Sequence, residues 1–154
     1  MDNVVATNRK ARHEFLIEDT YEAGISLTGT EVKSLRGRRC SMQDGYAVIY
    51  DGTVLLKGVH ISPYEQGAAH NVDPLRDRQL LLHRHEIRRL AIKLQERGYT
   101  LVPLRIYFKR GKAKVELGLG KGKTTYDKRR KLRDDDVKRR TDEALKKYSR
   151  GQKV

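Results

Sequence analysis

Apolar and polar residues alternate with a period of two along much of the first 120 positions, which marks strands with one buried face. Phe15 and Ile17 open the series in a strand beginning at His13, and Tyr21, Ala23, Ile25 and Leu27 repeat it in a second strand with Glu22 on the opposite face. Tyr46–Tyr50 and Thr53–Lys57 flank Asp51-Gly52, a two-residue loop that predicts a hairpin. The second run is expected to continue through Val59 and Ile61. A polar loop follows to Arg78, with a turn at Asp73-Pro74. Leu80, Leu81 and Leu82 form a short buried run. The last hairpin is Thr100–Phe108 and Lys112–Leu119, where Ala113, Val115, Leu117 and Leu119 alternate with Lys112, Lys114 and Glu116. Pro103 cannot donate to a ladder, so it requires an edge or a bulge.

Two stretches break to a helical period. Thr28-Gly-Thr-Glu31 has the form of a capping box, and Gly37 supplies a stop, predicting a short helix over Thr30–Arg36. Glu31 either closes that helix start and does nothing else or has a further role. Ile87, Leu90, Ala91 and Leu94 give the second helix, opening at His83 or Arg84 and ending at Gly98. About six strands joined mostly by short turns, with two inserted helices, predict a mainly β fold. The best match is an OB-type antiparallel barrel with peripheral helices and a basic C-terminal tail. The division falls at 1–120 for the barrel and 121–154 for the tail.

Charge changes the picture of the tail. The 154 residues carry a formal +14, and residues 121–154 hold 14 Lys and Arg against 6 Asp and Glu. Gly118, Gly120 and Gly122, interleaved with lysines, read as a flexible positive exit from the sheet, where backbone amides can approach a phosphate. From Asp134 to Lys147 each acid precedes a base by four residues: Asp134–Lys138, Asp135–Arg139, Asp136–Arg140, Asp142–Lys146 and Glu143–Lys147. Each such pair contributes about 0.2–0.5 kcal/mol to a helix, against a costly nucleation step. Val137, Ala144, Leu145 and Tyr148 form only a thin apolar stripe, so the tail is expected to be largely disordered alone and helical on a polyanion.

A basic surface attracts RNA, DNA or anionic membrane. No apolar run approaches the ~20 residues of a membrane span. Residues 1–15 lack a signal-peptide core, Cys40 is the only cysteine, and a reducing cytoplasm fits. Little points to catalysis. His83 and His85 read as a helix-start pair rather than metal ligands, Asp134–Asp136 as helix pairing, and no serine, threonine or Cys40 has an identifiable base. No metal or cofactor site is expected.

Several segments then match one family: Asn8–Glu14 (NRKARHE), Tyr21–Gly24 (YEAG), Gly29–Arg36 (GTEVKSLR), Pro63–Glu65 (PYE), Leu80–His83 (LLLH), Leu101–Leu104 (LVPL), Lys114–Leu119 (KVELGL), Lys121–Lys123 (KGK) and Asp127–Arg129 (DKR). Their order and spacing over residues 8–130 resemble the SmpB family, proteins that bind tmRNA in bacteria. The resemblance implies an OB-type barrel without enzymatic activity. It implies binding to the tRNA-like domain of tmRNA and delivery, with GTP-bound elongation factor Tu, to stalled ribosomes. It further implies a tail that folds as a helix in the empty mRNA channel. Asn8, Glu22 and Leu81 match family positions tied to tmRNA binding, Asn8 offering hydrogen bonds to a folded RNA loop and Leu81 supporting the surface from within. Arg9, Lys10, Arg12, His13 and Lys33 are candidate phosphate or base contacts. In the tail, Lys121, Lys123, Lys128 and Arg129 would meet ribosomal RNA phosphates, Tyr126 would stack on a base, and Asp127 would cap the induced helix. Gly120 and Thr124 depart from the family pattern of Ala and Lys, which implies a looser hinge and no charge contact at position 124. The other reading is a generic barrel of the ribosomal or single-strand-binding type, and a single-strand binder requires exposed aromatic platforms.

Overall fold

Two eleven-residue strands, β8 (Tyr99–Lys109) and β9 (Lys112–Gly122), form the longest hairpin of the computed structural model, which describes residues 3–123. Their two-residue turn needs left-handed backbone at both positions, and Arg110 and Gly111 supply it with φ of 52° and 78°. The remaining elements are β1 (Asn3–Thr7), α1 (Arg9–Glu14), β2 (Phe15–Ile25), α2 (Gly29–Arg36), β3 (Cys40–Ser41), β4 (Tyr46–Tyr50), β5 (Thr53–Lys57), β6 (His60–Ile61), β7 (Arg78–Leu81) and α3 (Arg84–Leu94). A 3₁₀ turn covers Glu65–His70.

Strands β8, β4, β5, β7, β2 and β9 pair in that order, all antiparallel, and the β8–β9 pairing closes them into a six-stranded ring. This is the expected OB-type barrel with helices at its periphery. Closure leaves the ring no open edge. β1 adds outside the ring along β8, and β3 pairs with β6 alone. Alternation fills the interior with Ala23, Val54, Leu56, Leu80, Leu101, Ile106, Val115 and Leu117. The Asp51-Gly52 hairpin forms as predicted, with φ of 50° and 74°. The capping box forms too: the Thr28 hydroxyl accepts from the Glu31 amide and the Glu31 carboxylate accepts from the Thr28 amide.

A second apolar cluster lies on the outer surface. Ala11 of α1 packs with Phe15, Ile17, Val102 and Leu104. Bulges put these residues there: the register shifts between Ile17 and Asp19 on β2, and between Pro103 and Arg105 on β8. Each shift exchanges the inward and outward parity of its strand. Of the edge or bulge that Pro103 requires, the structure has the bulge, and its consequence is a seat for α1.

Several expectations are corrected. The residues ahead of the first predicted strand form elements of their own. Val4, Val5 and Ala6 lie within β1, and Asn8 caps α1, which runs through His13. The strands read as starting at His13 and Tyr21 are one strand, β2, bent by its bulge. β5 stops at Lys57, because Gly58 turns with φ of 73°, and Ile61 belongs to β6. α3 ends at Leu94, before Gly98. Gly118, Gly120 and Gly122 do not release the chain from the sheet, because β9 stays paired with β2 through Gly122. A Cβ on Gly118 would come within 2.9 Å of Leu104, and one on Gly120 within 2.9 Å of the Phe15 Cβ. These glycines make room for the cluster beneath α1, and the looser hinge expected at Gly120 gives way to a strand position. The tail pairings from Asp134 to Lys147 lie outside the described residues.

Candidate nucleic-acid interface

The outer faces of β7, β2, β9 and β8 form one charged surface. Leu81, Gly24, Lys114 and Tyr107 lie in one cross-strand row, and Glu22, Glu116 and Arg105 in the next. Glu22 and Glu116 face each other directly, an arrangement that repels unless each acid has a cation. Both do. The Arg105 guanidinium donates to Glu116 at 2.9 Å, and Arg12 from α1 pairs with it at 3.5 Å. Glu22 accepts from the Tyr107 hydroxyl and, at 3.3 Å, from Lys109. The Tyr107 hydrogen bond, with help from Lys109, outweighs desolvation and holds the Glu22 carboxyl below its ordinary value. Arg105 also lies 4.5 Å from the Tyr107 ring centre. The carboxylates here orient cations and an aromatic ring rather than cancel a basic surface.

The surface continues at both ends. Arg9, Lys10 and Arg12 project from α1, and Lys10 reaches Asp44 at 3.0 Å. At the other end Leu81 packs on Gly24, where an added Cβ would lie 3.4 Å from that of Leu81. Leu81, Val32, Phe108, Lys112 and Lys114 line a groove of about 380 Å³.

Asn8 has a different place from the one expected. It is 1% exposed, and its side-chain amide donates to the Met42 and Pro103 carbonyls, both at 2.9 Å. Its side-chain oxygen accepts from the Ala11 amide at 3.1 Å, as a helix cap. With these groups engaged inside the protein, Asn8 sets the position of α1 instead of offering hydrogen bonds to a loop. Leu81 is corrected in the opposite sense: it is 55% exposed and meets solvent directly. His13 is half-buried on the same helix.

Lys33 stands apart, on α2, with its ammonium 5.2 Å from the Tyr64 ring centre. Lys121 is the penultimate residue of β9, 5.8 Å from the Tyr99 ring centre, and Lys123 follows the strand. Tyr126, Asp127, Lys128 and Arg129 lie outside the described residues. Exposed aromatics are found elsewhere, at Tyr46 and Tyr50 of β4.

Glu31 does more than close its helix. It is 3% exposed and accepts from Arg76 and Arg78, both at 2.6 Å. Arg78 is fully buried and also donates to the carbonyls of Val59 at 2.6 Å and Pro74 at 3.0 Å. Burial alone would raise the Glu31 carboxyl; Arg76, the Thr28 amide and Arg78 overcome it and hold the carboxyl low. Among the described residues no cluster of three or more metal-ligating side chains is present, and no helix is long and apolar enough to cross a membrane.

A family model described as SmpB protein matches residues 5–147. The chain belongs to the SmpB family. It is 57% identical to an SsrA-binding protein of Acetivibrio thermocellus, over 93% of each chain. It is 54% identical to an SsrA-binding protein of Lactobacillus helveticus, over 90% of this chain and 91% of that one. The fold is similar to a chain of the solved structure "tmRNA-SmpB: a journey to the center of the bacterial ribosome", with a TM-score of 0.67 and 51% identity, covering 83% of this chain and 94% of that one.

Within this SmpB barrel, sequence reasoning assigned no role to Arg105, Tyr107, Lys109, Lys114 or Glu116. Their signal was the polar half of the β8–β9 alternation. That alternation identified the buried face, while the face opposite it carried the ordered ion pairs.

Proposed function

We propose that this chain is an RNA-binding adaptor of trans-translation that recognises the tRNA-like domain of tmRNA. The observation that carries the reading is the outer face of β7–β2–β9–β8, where Arg12, Glu22 and Leu81 share one surface with Arg105 and Lys109, and the buried Tyr107 holds Glu22 in place through its hydroxyl. Support also comes from the names of the relatives and of the similar solved structure. Folded RNA is read through loop shape, stacking and 2′-hydroxyls. The surface offers matching groups: fixed cations for phosphates, a carboxylate for hydroxyl or base donors, and an exposed leucine beside a groove for an unstacked base.

In this proposal residues 1–120 hold the RNA and residues 121–154 serve the ribosome. The protein carries tmRNA with GTP-bound elongation factor Tu to a stalled ribosome in the cytoplasm. Lys121, Lys123, Tyr126, Asp127, Lys128 and Arg129 then engage the small-subunit decoding site and empty mRNA channel. No catalytic residue is assigned.

The test titrates the full chain with the tRNA-like RNA fragment and a single-stranded control at two salt concentrations, since the salt slope counts phosphate contacts. Selective binding to the folded fragment is expected, weakened in Glu22→Ala. Lys123→Ala combined with Lys128→Ala and Arg129→Ala should leave fragment binding intact while stopping tagging on ribosomes. Equal affinity for fragment and control would favour the single-strand-binding barrel, for which Tyr46 and Tyr50 are the platforms. Loss of fragment binding in the triple variant would overturn the division of labour.

A further inference from the structure

Ser34 lies on α2, 1% exposed, and its hydroxyl has no hydrogen-bond partner. A serine inside a helix usually returns its hydroxyl to the backbone or water, and leaving it unpaired costs stability. Ser34 lines a small cleft of about 220 Å³ with Lys33, Arg39, Tyr64, Glu65 and Gln66. Lys33, Tyr64 and Gln66 also line a wider cleft of about 420 Å³.

The geometry points to a binding site for a single unstacked nucleotide of the RNA, resting on the RNA-binding reading above. The lining divides into the parts such a ligand needs. Tyr64 offers a ring face for stacking. The Ser34 hydroxyl both donates and accepts, and the Gln66 amide does the same, which matches a base edge. Lys33 lies over the Tyr64 ring at 5.2 Å, close enough to meet the phosphate of a nucleotide stacked there. A bare anion fits less well, because Glu65 pairs with Arg39 at 3.7 Å and places a carboxylate beside the cation. A neutral planar base is not opposed by that carboxylate. The backbone of Tyr64 is fixed independently of its ring: its amide donates to Asn71 at 2.9 Å and its carbonyl accepts from Asn71 at 2.8 Å. The ring can therefore be replaced without releasing the loop.

The full ¹⁵N-labelled chain is titrated with AMP, GMP, CMP and UMP separately, and with inorganic phosphate. At least one nucleotide should shift the Ser34, Tyr64 and Gln66 amides saturably, and phosphate should not. Ser34→Ala should leave the melting temperature unchanged or raised, since it removes an unpaired buried hydroxyl, yet weaken binding to the tRNA-like fragment about three- to tenfold. Tyr64→Leu should weaken it about tenfold. A purely structural serine cannot give that split between stability and affinity. Wild-type affinity in both variants, no shift with any nucleotide, or the same shifts with phosphate alone would each overturn the site. If the wild-type chain fails to bind the fragment, the adaptor reading falls, and the mononucleotide titration still judges the cleft.

Discussion

Glu22 and Glu31 are nine positions apart, and each faces a cation, yet the two clusters do opposite work. Glu31 is sealed against Arg76 and Arg78 and ties α2 to the chain around Val59 and Pro74. Glu22 lies on an open strand face, with its side chain and that of Lys109 each 42% exposed. In the first cluster Glu31 and Arg78 are both buried, and their hydrogen bonds are made to the protein itself. In the second, Lys109, Arg105 and Arg12 are held in place while keeping part of their side chains exposed to a partner, and the buried Tyr107 anchors Glu22 from beneath. Burial, rather than the presence of an ion pair, separates a structural clamp from a presenting surface.

The largest effect should come from breaking the clamp. Glu31→Gln keeps the shape but leaves the fully buried Arg78 without its counter-charge. Removing one partner of a buried pair costs about 3–5 kcal/mol, to be read by chemical denaturation. Glu22→Gln should change stability by less than about 1 kcal/mol, as an exposed pair does. Its effect should appear as weaker binding to the tRNA-like fragment, of the order of tenfold, if one charge-assisted hydrogen bond of about 1.5 kcal/mol is lost. Similar stability losses in the two variants would erase the contrast.

A smaller loss is expected at the seat of α1, which carries Arg12 onto the surface. Gly120→Val places a branched side chain where even a Cβ would lie 2.9 Å from the Phe15 Cβ. Overpacking of this kind costs about 1–3 kcal/mol, measurable by denaturation. Because Phe15 packs with Ala11 of α1, fragment binding should fall with it. An unchanged affinity would mean that α1 contributes little to the interface.

These contrasts mark where the sequence is readable. Hairpins, the closed barrel, the capping box and the Pro103 bulge follow from local chemistry, and alternation identifies each strand's buried face. The role of Glu31 is half legible: a Thr-x-x-Glu pattern shows the cap, but Arg76 and Arg78 are 45 and 47 residues away, and only the fold brings them in. β1 and α1 escape because Val4-Val5-Ala6 is a short apolar run and α1 has only six residues. Gly118 and Gly120 mislead because a flexible exit and a close-packed strand use the same residue; a bulge on the neighbouring strand decides between them. Leu81 misleads because three successive leucines suggest burial throughout, whereas a strand must turn one of them outward. Family resemblance located Asn8 and Glu22 without saying which one faces solvent.

Acid gives the finest reading of the comparison. Both carboxyls have folded values below the ordinary 4.5, Glu22 chiefly through the Tyr107 hydroxyl and Glu31 through Arg76, the Thr28 amide and Arg78 against its burial. A lowered value in the folded state means stability that is fully present above about pH 4.5 and lost as pH falls through the folded value. Stability of the wild-type chain should therefore decline below that pH. Glu31→Gln should lie lower throughout but fall less steeply, because its largest acid-sensitive contribution is already gone. Glu22→Gln should follow the wild-type slope closely, and raising salt should shrink what difference there is, because exposed charges are screened and buried ones much less so. The measurement is denaturant stability from pH 7 to pH 3 at low and high salt. Equal flattening in the two variants would show that the open cluster is as strongly coupled to folding as the sealed one, and Glu22 would then be a structural residue rather than part of the presented face.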